Sequence, residues 1–373
     1  MTIGFDAKRA FLNTSGLGNY SRTLIKSLIK FYPEHNYSLF TTSKSKSDFS
    51  NFVSRQKNVS VVQPEKLLDK KINSRWRSYG ISPLLSEQKI DVYHGLSNEL
   101  PFNISAFKGK KIVTIHDLIF LRYPKLYPLF DRKIYNKKFR HACQLADVIV
   151  ATSEQTKNDI EEFYSVDSKK IKVIYQSCED VFYKKLTGDE IKKVKSNYKL
   201  PENYLLYVGT IEERKNLLTI IRALSIMKNI PLVVIGKKKS YFKKVQDFIV
   251  ANNLDKRILF LENVSDEDLP AIYRSAEMFI YPSLFEGFGI PIIEALTCKT
   301  PVITTKGGCF SEAGGTHSIY IDPMNHEQLA EEIQKLLSSP ELRKNISEKG
   351  FEHSKKFLPQ VIAAEMMALY SEK

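Results

Sequence analysis

Short apolar runs, each bounded by polar or glycine-containing turns, recur along the chain with stretches of helical periodicity between them. Residues 2–6, Tyr37–Phe40, Val59–Val62, Asp91–His94, Lys111–Ile115, Asp147–Ala151 and Ile171–Tyr175 read as strands, and residues 74–88, 128–145 and 154–163 as helices. Short apolar strands alternating with helices predict a parallel sheet covered by helices on both sides. The pattern restarts with strands at Tyr204–Val208, Leu232–Ile235, Ile258–Leu261, Phe279–Tyr281, Val302–Thr304 and Ile319–Ile321, and helices near 216–228, 240–252, 266–275, 290–298 and 325–338. A polar, lysine-rich stretch from about 178 to 202 separates the two blocks. The expectation is an α/β chain of two Rossmann-like, doubly wound domains, residues 1–182 and 183–358. Two helices, 341–356 and 359–371, broken at Pro359, follow the last strand.

The densest candidate chemistry lies in residues 278–305, MFIYPSLFEGFGIPIIEALTCKTPVITT. A buried strand ends at Pro282-Ser283, and Glu286-Gly287-Phe288-Gly289 follows. Two glycines around one aromatic residue let the backbone approach a ligand closely. Pro291 suits the first turn of a helix, whose unpaired N–H groups favour an anion such as phosphate. Glu294 falls about one turn into that helix, so Glu286 and Glu294 are free to reach different parts of one elongated ligand. Local pattern alone also allows a mere connection between two core strands.

Other loops fall at carboxyl ends of expected strands, where open α/β sheets bind ligands. Gly16-Leu17-Gly18 sits between the first strand and a helix through Leu24, Leu28 and Ile29, a phosphate-cradling order that is half of a dinucleotide fingerprint. His116 and Asp117 follow Ile112–Ile115; a histidine there is either functional or simply hydrogen-bonded to a neighbouring loop. Arg214-Lys215 follow the first strand of the second block, where a guanidinium and an ammonium can hold phosphate oxygens together.

Composition narrows the class. The chain has 373 residues, 56 Lys plus Arg against 42 Asp plus Glu, and a formal charge of +14. A surplus of that size attracts anions, and nucleic acid, anionic lipid or a merely solvated lysine-rich surface all remain open on charge alone. Cys143, Cys178, Cys298 and Cys309 lack metal-site or disulfide-framework spacing, which fits a reducing cytoplasm. No apolar run reaches membrane-spanning length, and MTIGFDAKRAFL lacks the pattern of a secretion signal.

Taken together, SGLGNYSR at 15–22, HGLSNELP at 94–101, TIHDLIF at 114–120, ATSEQTKNDI at 151–160, VGTIEERKNL at 208–217, VSDEDLPAIYRSAEMFIYPSLFEGFGIPIIEAL at 264–296, PVITT at 301–305 and IDP at 321–323 resemble the retaining glycosyltransferases of family 4, with the GT-B fold. The resemblance implies a nucleotide diphosphate sugar in a cleft between the two halves, held mostly by the second, and a terminal helix crossing back to the first. It implies that Arg214 and Lys215 neutralise the diphosphate, that Glu294 accepts hydrogen bonds from the ribose hydroxyls, and that Glu286 faces the transferred sugar. The backbone of Gly287, Phe288 and Gly289 would lie near the sugar or the β-phosphate, Gly16 over the phosphate, His116 near sugar and acceptor, and Val264 near the base. Asp117 would be an acceptor-side hydrogen-bonding group rather than the base. Where relatives carry a Pro-Glu pair after PVITT, this chain has Lys306–Glu312, with Glu312 the candidate counterpart.

Front-face attack is the favoured route to retention, with a covalent intermediate on Glu286 as the alternative, and neither a metal nor another cofactor is expected. LVVIGKKKSYF at 232–242 is similar to the mannosyl- and hexosyltransferases of bacterial surface polysaccharide and lipopolysaccharide synthesis. That implies GDP-mannose as first donor, a UDP-hexose as second, and a saccharide or lipid-linked saccharide as acceptor. The lysine surplus then admits a peripheral contact of a cytoplasmic protein with the anionic inner membrane, at about 1 kcal/mol per Lys near the surface. A sugar-nucleotide epimerase, a glycogen-type phosphorylase or a basic nucleic-acid-binding protein would be the competing classes; the last accounts for the charge but not for the loop motifs, so no nucleic acid is expected.

Overall fold

A computed structural model describes residues 1–372 except 46, 66–72 and 228–229. The last residue of the helix expected over 216–228 and residue 373 therefore fall outside the described residues. The chain separates into two compact units, Met1–Ser177 with Leu358–Lys373, and Cys178–Phe357. The break lies ahead of the expected position near 182 for a packing reason. Val181 and Phe182 are buried, and the Phe182 ring meets Tyr273 of the second unit at 5.8 Å. This apolar pair anchors the end of the polar stretch to the second core.

The first unit holds β1 (Thr2–Asp6), β2 (Asn36–Phe40), β3 (Val59–Val62), β4 (Val92–Gly95), β5 (Lys110–Ile115), β6 (Val148–Ala151) and β7 (Ile171–Val173). They form a 7-stranded sheet in the order β3-β2-β1-β4-β5-β6-β7. Every pairing is parallel. The winding reverses between β1 and β4, so the loops leaving their carboxyl ends diverge and open a crevice. The terminal helix Pro359–Ser371 packs on the Gly16–Phe31 helix and adds Ile362, Met366, Leu369 and Tyr370 to the core of this unit.

One expected helix is different in kind. Residues 74–88 contain a π-helical turn, Trp76–Gly80, between short α-helical pieces 73–75 and Ile81–Glu87. A Cβ at Gly80 would lie 2.5 Å from Trp76 Cδ1, so the turn wraps over the indole only because residue 80 has none. Apolar spacing does not distinguish a π turn from an α turn over one repeat.

The second unit holds β8 (Leu205–Val208), β9 (Leu232–Ile235), β10 (Ile258–Leu261), β11 (Met278–Tyr281), β12 (Val302–Thr305) and β13 (Ile319–Ile321). They build a 6-stranded parallel sheet in the order β10-β9-β8-β11-β12-β13. All residues of β9, β11 and β12 are buried, as two-sided coverage requires. The reversal here falls between β8 and β11, whose exits carry Arg214-Lys215 and Glu286.

Candidate active site

Side-chain and backbone hydrogen bonds bring the exits of β8 and β11 together. Beyond β8 the chain makes a 3₁₀ turn, Glu213–Lys215, closed by Asn216 in the left-handed region at φ 56°. The Asn216 side chain donates to Pro282 O at 3.1 Å and Pro323 O at 2.7 Å. Leu284 N donates to Arg214 O at 2.8 Å. The turn bearing the two cations is thereby fastened to the loop bearing Glu286. On the far side Gly289 takes φ +114° as N-cap of the Ile290–Thr297 helix, with Pro291 in its first turn. A side chain there would be strained.

Arg214, Lys215 and Glu286 form one ion-paired group. Glu286 Oε2 lies 2.7 Å from Arg214 Nη1, and Oε1 lies 2.7 Å from Lys215 Nζ. The Tyr281 hydroxyl donates to Oε1 at 3.0 Å and accepts from Lys215 Nζ. Glu212 Oε1 holds Arg214 from the other side at 2.8 Å, and its Oε2 pairs with Lys239 at 2.6 Å. Three cations against two carboxylates leave one net positive charge at the end of the sheet. Burial works to raise the Glu286 carboxyl, but the Lys215 and Arg214 charges and their hydrogen bonds outweigh it and hold it at about 2. Arg214 loses some basicity to burial and regains more from Glu286, ending above its ordinary value. Glu286 is therefore a fully ionised carboxylate of low basicity, 9% exposed.

Glu294 is the opposite case. It is 8% exposed, and the Tyr273 hydroxyl donates to its Oε2 at 2.9 Å. Burial pushes its carboxyl up to about 8; Glu179 and Asp266 add to the rise, while Tyr273 and Lys215 oppose it. Two carboxylates on one loop and helix thus hold different protonation states at neutral pH. This is an arrangement in which one group presents charge and the other an uncharged hydrogen-bonding surface.

The remaining second-unit positions divide. Phe288 turns its ring into the core against Phe357 at 5.5 Å, so its side chain is not what a ligand would meet. Gly287 is half-buried beside it. Val264 is half-buried after β10, next to Asn263 at φ 58°. Asp266 of the same loop acts electrostatically on Glu294, which brings the segment within range of the site. The Lys306–Glu312 segment also reaches it, through the Cys309 thiol, which donates to Glu286 O at 3.2 Å.

In the first unit, Gly16 opens its helix with no heavy atom within 4 Å of where a Cβ would stand, whereas a Cβ at Gly18 would lie 2.0 Å from Asn13 O. Gly18 is the packing glycine and Gly16 the open one. His116 is held by neighbouring loops. Its Nε2 donates to Leu96 O at 2.9 Å, and its backbone N–H donates to Asn98 Oδ1 at 2.7 Å. Tyr20 from the Gly16 helix meets the imidazole edge-on at 4.7 Å. Burial lowers its pKa to about 4, so the ring is neutral at physiological pH.

Several partners were not found by reading the sequence. Tyr273 and Tyr281 read as apolar strand and helix positions, and Glu212 as a loop acid. At the exit of β1, Asp6, 2% exposed, pairs with Arg77 Nη2 at 2.6 Å. Arg77 continues to Glu99 at 3.0 Å, and Glu99 to Lys138 at 3.1 Å. Asp6 ending a buried strand was the available signal, since a carboxylate there needs a cation. The His94 ring, fully buried, bridges Tyr370 at 2.7 Å and Thr114 at 2.8 Å, which ties the terminal helix to β4 and β5.

Residues 14–178 match the family described as Glycosyltransferase Family 4, and residues 188–353 the family described as Glycosyl transferases group 1. The O-antigen chain mannosyltransferase B of Escherichia coli is 27% identical over 280 residues, 73% of this chain and 72% of that protein. The O-antigen chain mannosyltransferase RfbU of Salmonella typhimurium is 30% identical over 235 residues, 61% of each chain, so the match spans less than two thirds of that relative. Among solved structures, Anabaena Alr3699/HepE in complex with UDP and glucose superposes with a TM-score of 0.76 at 17% identity, over 100% of this chain and 99% of that one. At that identity the likeness establishes the fold, two Rossmann-like parallel-sheet units of the GT-B class.

Proposed function

We propose that this glycosyltransferase, built from a family 4 domain and a group 1 domain, transfers a hexose from a nucleotide diphosphate sugar to a saccharide or lipid-linked saccharide with retention at the anomeric carbon. GDP-mannose is the first donor, because the relatives cited above are mannosyltransferases of O-antigen chains. A UDP-hexose is the second, favoured by the UDP and glucose of the HepE complex. The pathway is surface polysaccharide or lipopolysaccharide synthesis, with the protein working in the cytoplasm.

The observation that carries this reading is the Arg214–Glu286–Lys215 group at the point where the winding of the second sheet reverses. A diphosphate entering there meets two fixed cations, and Glu286 exchanges part of its ion pairing for the hydroxyls of the transferred sugar. Glu294 takes the ribose hydroxyls, the backbone of Gly287, Phe288 and Gly289 the sugar or β-phosphate, and the loop around Val264 the base. Gly16 and His116 serve the phosphate and acceptor side, His116 as a neutral hydrogen-bonding group.

In the step itself, the bond from the anomeric carbon to the β-phosphate oxygen breaks while the acceptor oxygen bonds on the same face. The departing phosphate oxygen takes the acceptor proton, and Arg214 and Lys215 stabilise the negative charge that develops. This route is favoured over a covalent glycosyl–Glu286 intermediate by the state of Glu286. Both its oxygens are engaged and its basicity is low, which suits orienting a sugar better than attacking one. The two cations supply the charge stabilisation, so the reading assigns no resident metal or other cofactor.

The test is a thermal-shift panel of GDP- and UDP-sugars followed by product analysis. A ligand at 100 times its Kd stabilises by about 2.7 kcal/mol, and GDP-mannose is expected to give the largest shift. No shift with any nucleotide sugar, or a product of inverted anomeric configuration, would overturn the reading.

A further inference from the structure

Large apolar side chains exposed on this protein are scattered singly, as on most soluble surfaces, with one exception. Between residues 123 and 135, Tyr123, Leu126, Leu129, Phe130, Ile134 and Tyr135 are all exposed, Leu129 at 71% and Phe130 at 72%. No other part of the described chain concentrates them in this way.

Helical geometry explains how the cluster is presented. Leu129–Leu145 is a 17-residue helix that buries Phe139, Ala142 and Cys143 against the first unit. At 3.6 residues per turn, Phe130 and Ile134 fall on the opposite side, together with Lys133 and Lys137. Leu126 and Lys125 stand on the 3₁₀ turn Pro124–Leu126 just before it. Lys125, Lys133 and Lys137 are exposed, and residues 122–140 contain one acid, Asp131, against seven Lys and Arg. Arg122 is committed to Asp159 and Glu162, Lys138 to Glu99, and Arg140 to Phe163 O and the Tyr164 ring, while the exposed Lys137 ammonium lies over the Phe102 ring at 5.7 Å. Lys125 and Lys133 stand outward beside the apolar tips.

A protein-docking face places its charges at a rim around an apolar centre. Here lysines alternate with apolar tips along one helical side, the pattern of a helix lying in a membrane interface, with apolar groups in the acyl boundary and ammonium groups among the headgroups. We propose that the face formed by residues 123–137 docks on an anionic phospholipid bilayer, with Leu129 and Phe130 entering the acyl boundary and Lys125, Lys133 and Lys137 on lipid phosphates. This names a surface for the membrane contact that net charge alone leaves unplaced, and it does not depend on which donor is used. Delivery of a lipid-linked acceptor to the first unit is a consequence that rests on the proposed function; the docking is not.

The experiment is co-sedimentation of the full chain with phosphatidylcholine vesicles and with vesicles that also contain phosphatidylglycerol, at low and moderate salt. The wild type is expected to partition onto the anionic vesicles only. Losing two inserted side chains should weaken partitioning about tenfold or more in Leu129→Ser/Phe130→Ser, and Lys125→Glu/Lys133→Glu should abolish the preference for anionic lipid. All these positions are exposed, so an unchanged melting temperature checks each variant's fold. Equal partitioning of the wild type onto both vesicle types, or wild-type behaviour of Leu129→Ser/Phe130→Ser, overturns the proposal. Self-association lost in that variant, without vesicle binding by the wild type, overturns it in favour of a second copy of the chain.

Discussion

Replacing Glu294 with Gln isolates the cost of keeping a carboxyl in its buried position. The group moves from the ordinary 4.5 to about 8, first because of burial and then because Glu179 and Asp266 oppose a further negative charge. The folded chain therefore holds this proton at pH values where the unfolded chain has lost it. The stabilisation is complete below about 4.5, declines through the interval between the two values, and is lost as pH rises through about 8. A pKa difference of one between the folded and unfolded chain corresponds to about 1.36 kcal/mol, so the whole interval amounts to roughly 4–5 kcal/mol. Glutamine keeps an oxygen for the Tyr273 hydroxyl and has no proton to lose.

Wild type and Glu294→Gln should accordingly have similar stability near pH 5 and diverge above it, with the variant more stable at pH 9. A domain of this size shifts by about 2–4 °C per kcal/mol, so at pH 9 the two melting curves should separate by roughly 8–20 °C. Parallel pH profiles would refute the argument and show that Glu294 is solvated. Nucleotide binding offers a second readout. Ribose hydroxyls donating to the ionised carboxylate favour that form, so wild-type affinity should rise with pH between about 7 and 9, and Glu294→Gln should be flat.

Arg214→Ala and Lys215→Ala should each lower kcat by about 100-fold or more, as read from steady-state rates with saturating donor; near-wild-type turnover in both would remove them from the chemistry. Arg77→Met leaves the buried Asp6 carboxylate without its cation and should cost about 3–5 kcal/mol in chemical denaturation, with much of the loss recovered in Asp6→Asn/Arg77→Met. His116 is neutral well below pH 6, so kcat/KM should show no limb between about pH 6 and 7 that disappears in His116→Asn. Such a limb would mean that the imidazole titrates during turnover.

The central strands were readable because burial on both faces leaves an unbroken apolar run, as at Leu232–Ile235, and the half-buried edge strands Ile258–Leu261 and Ile319–Ile321 also appear with the bounds their composition predicts. What periodicity cannot express is what a side chain meets across the fold. The Asp6–Arg77–Glu99–Lys138 chain draws on four separate stretches of sequence, and nothing local to any of them names the other three. Helix 128–145 was visible by its spacing, but which side it leaves bare depends on the core beneath it. Tyr273 and Tyr281 read as packing residues because their rings are apolar, and their importance lies in hydroxyls aimed at Glu294 and Glu286. The same limit governs the site itself. Motif order assigns Arg214 and Lys215 to one part of a ligand and Glu286 to another, whereas the structure joins all three, so the charge available to a diphosphate depends on how far Glu286 lets go. On the proposed function, Glu212 sets that margin. It pairs with Arg214 and with Lys239, a hold on the guanidinium that does not depend on Glu286 and would keep the cation in place when Glu286 turns towards a sugar.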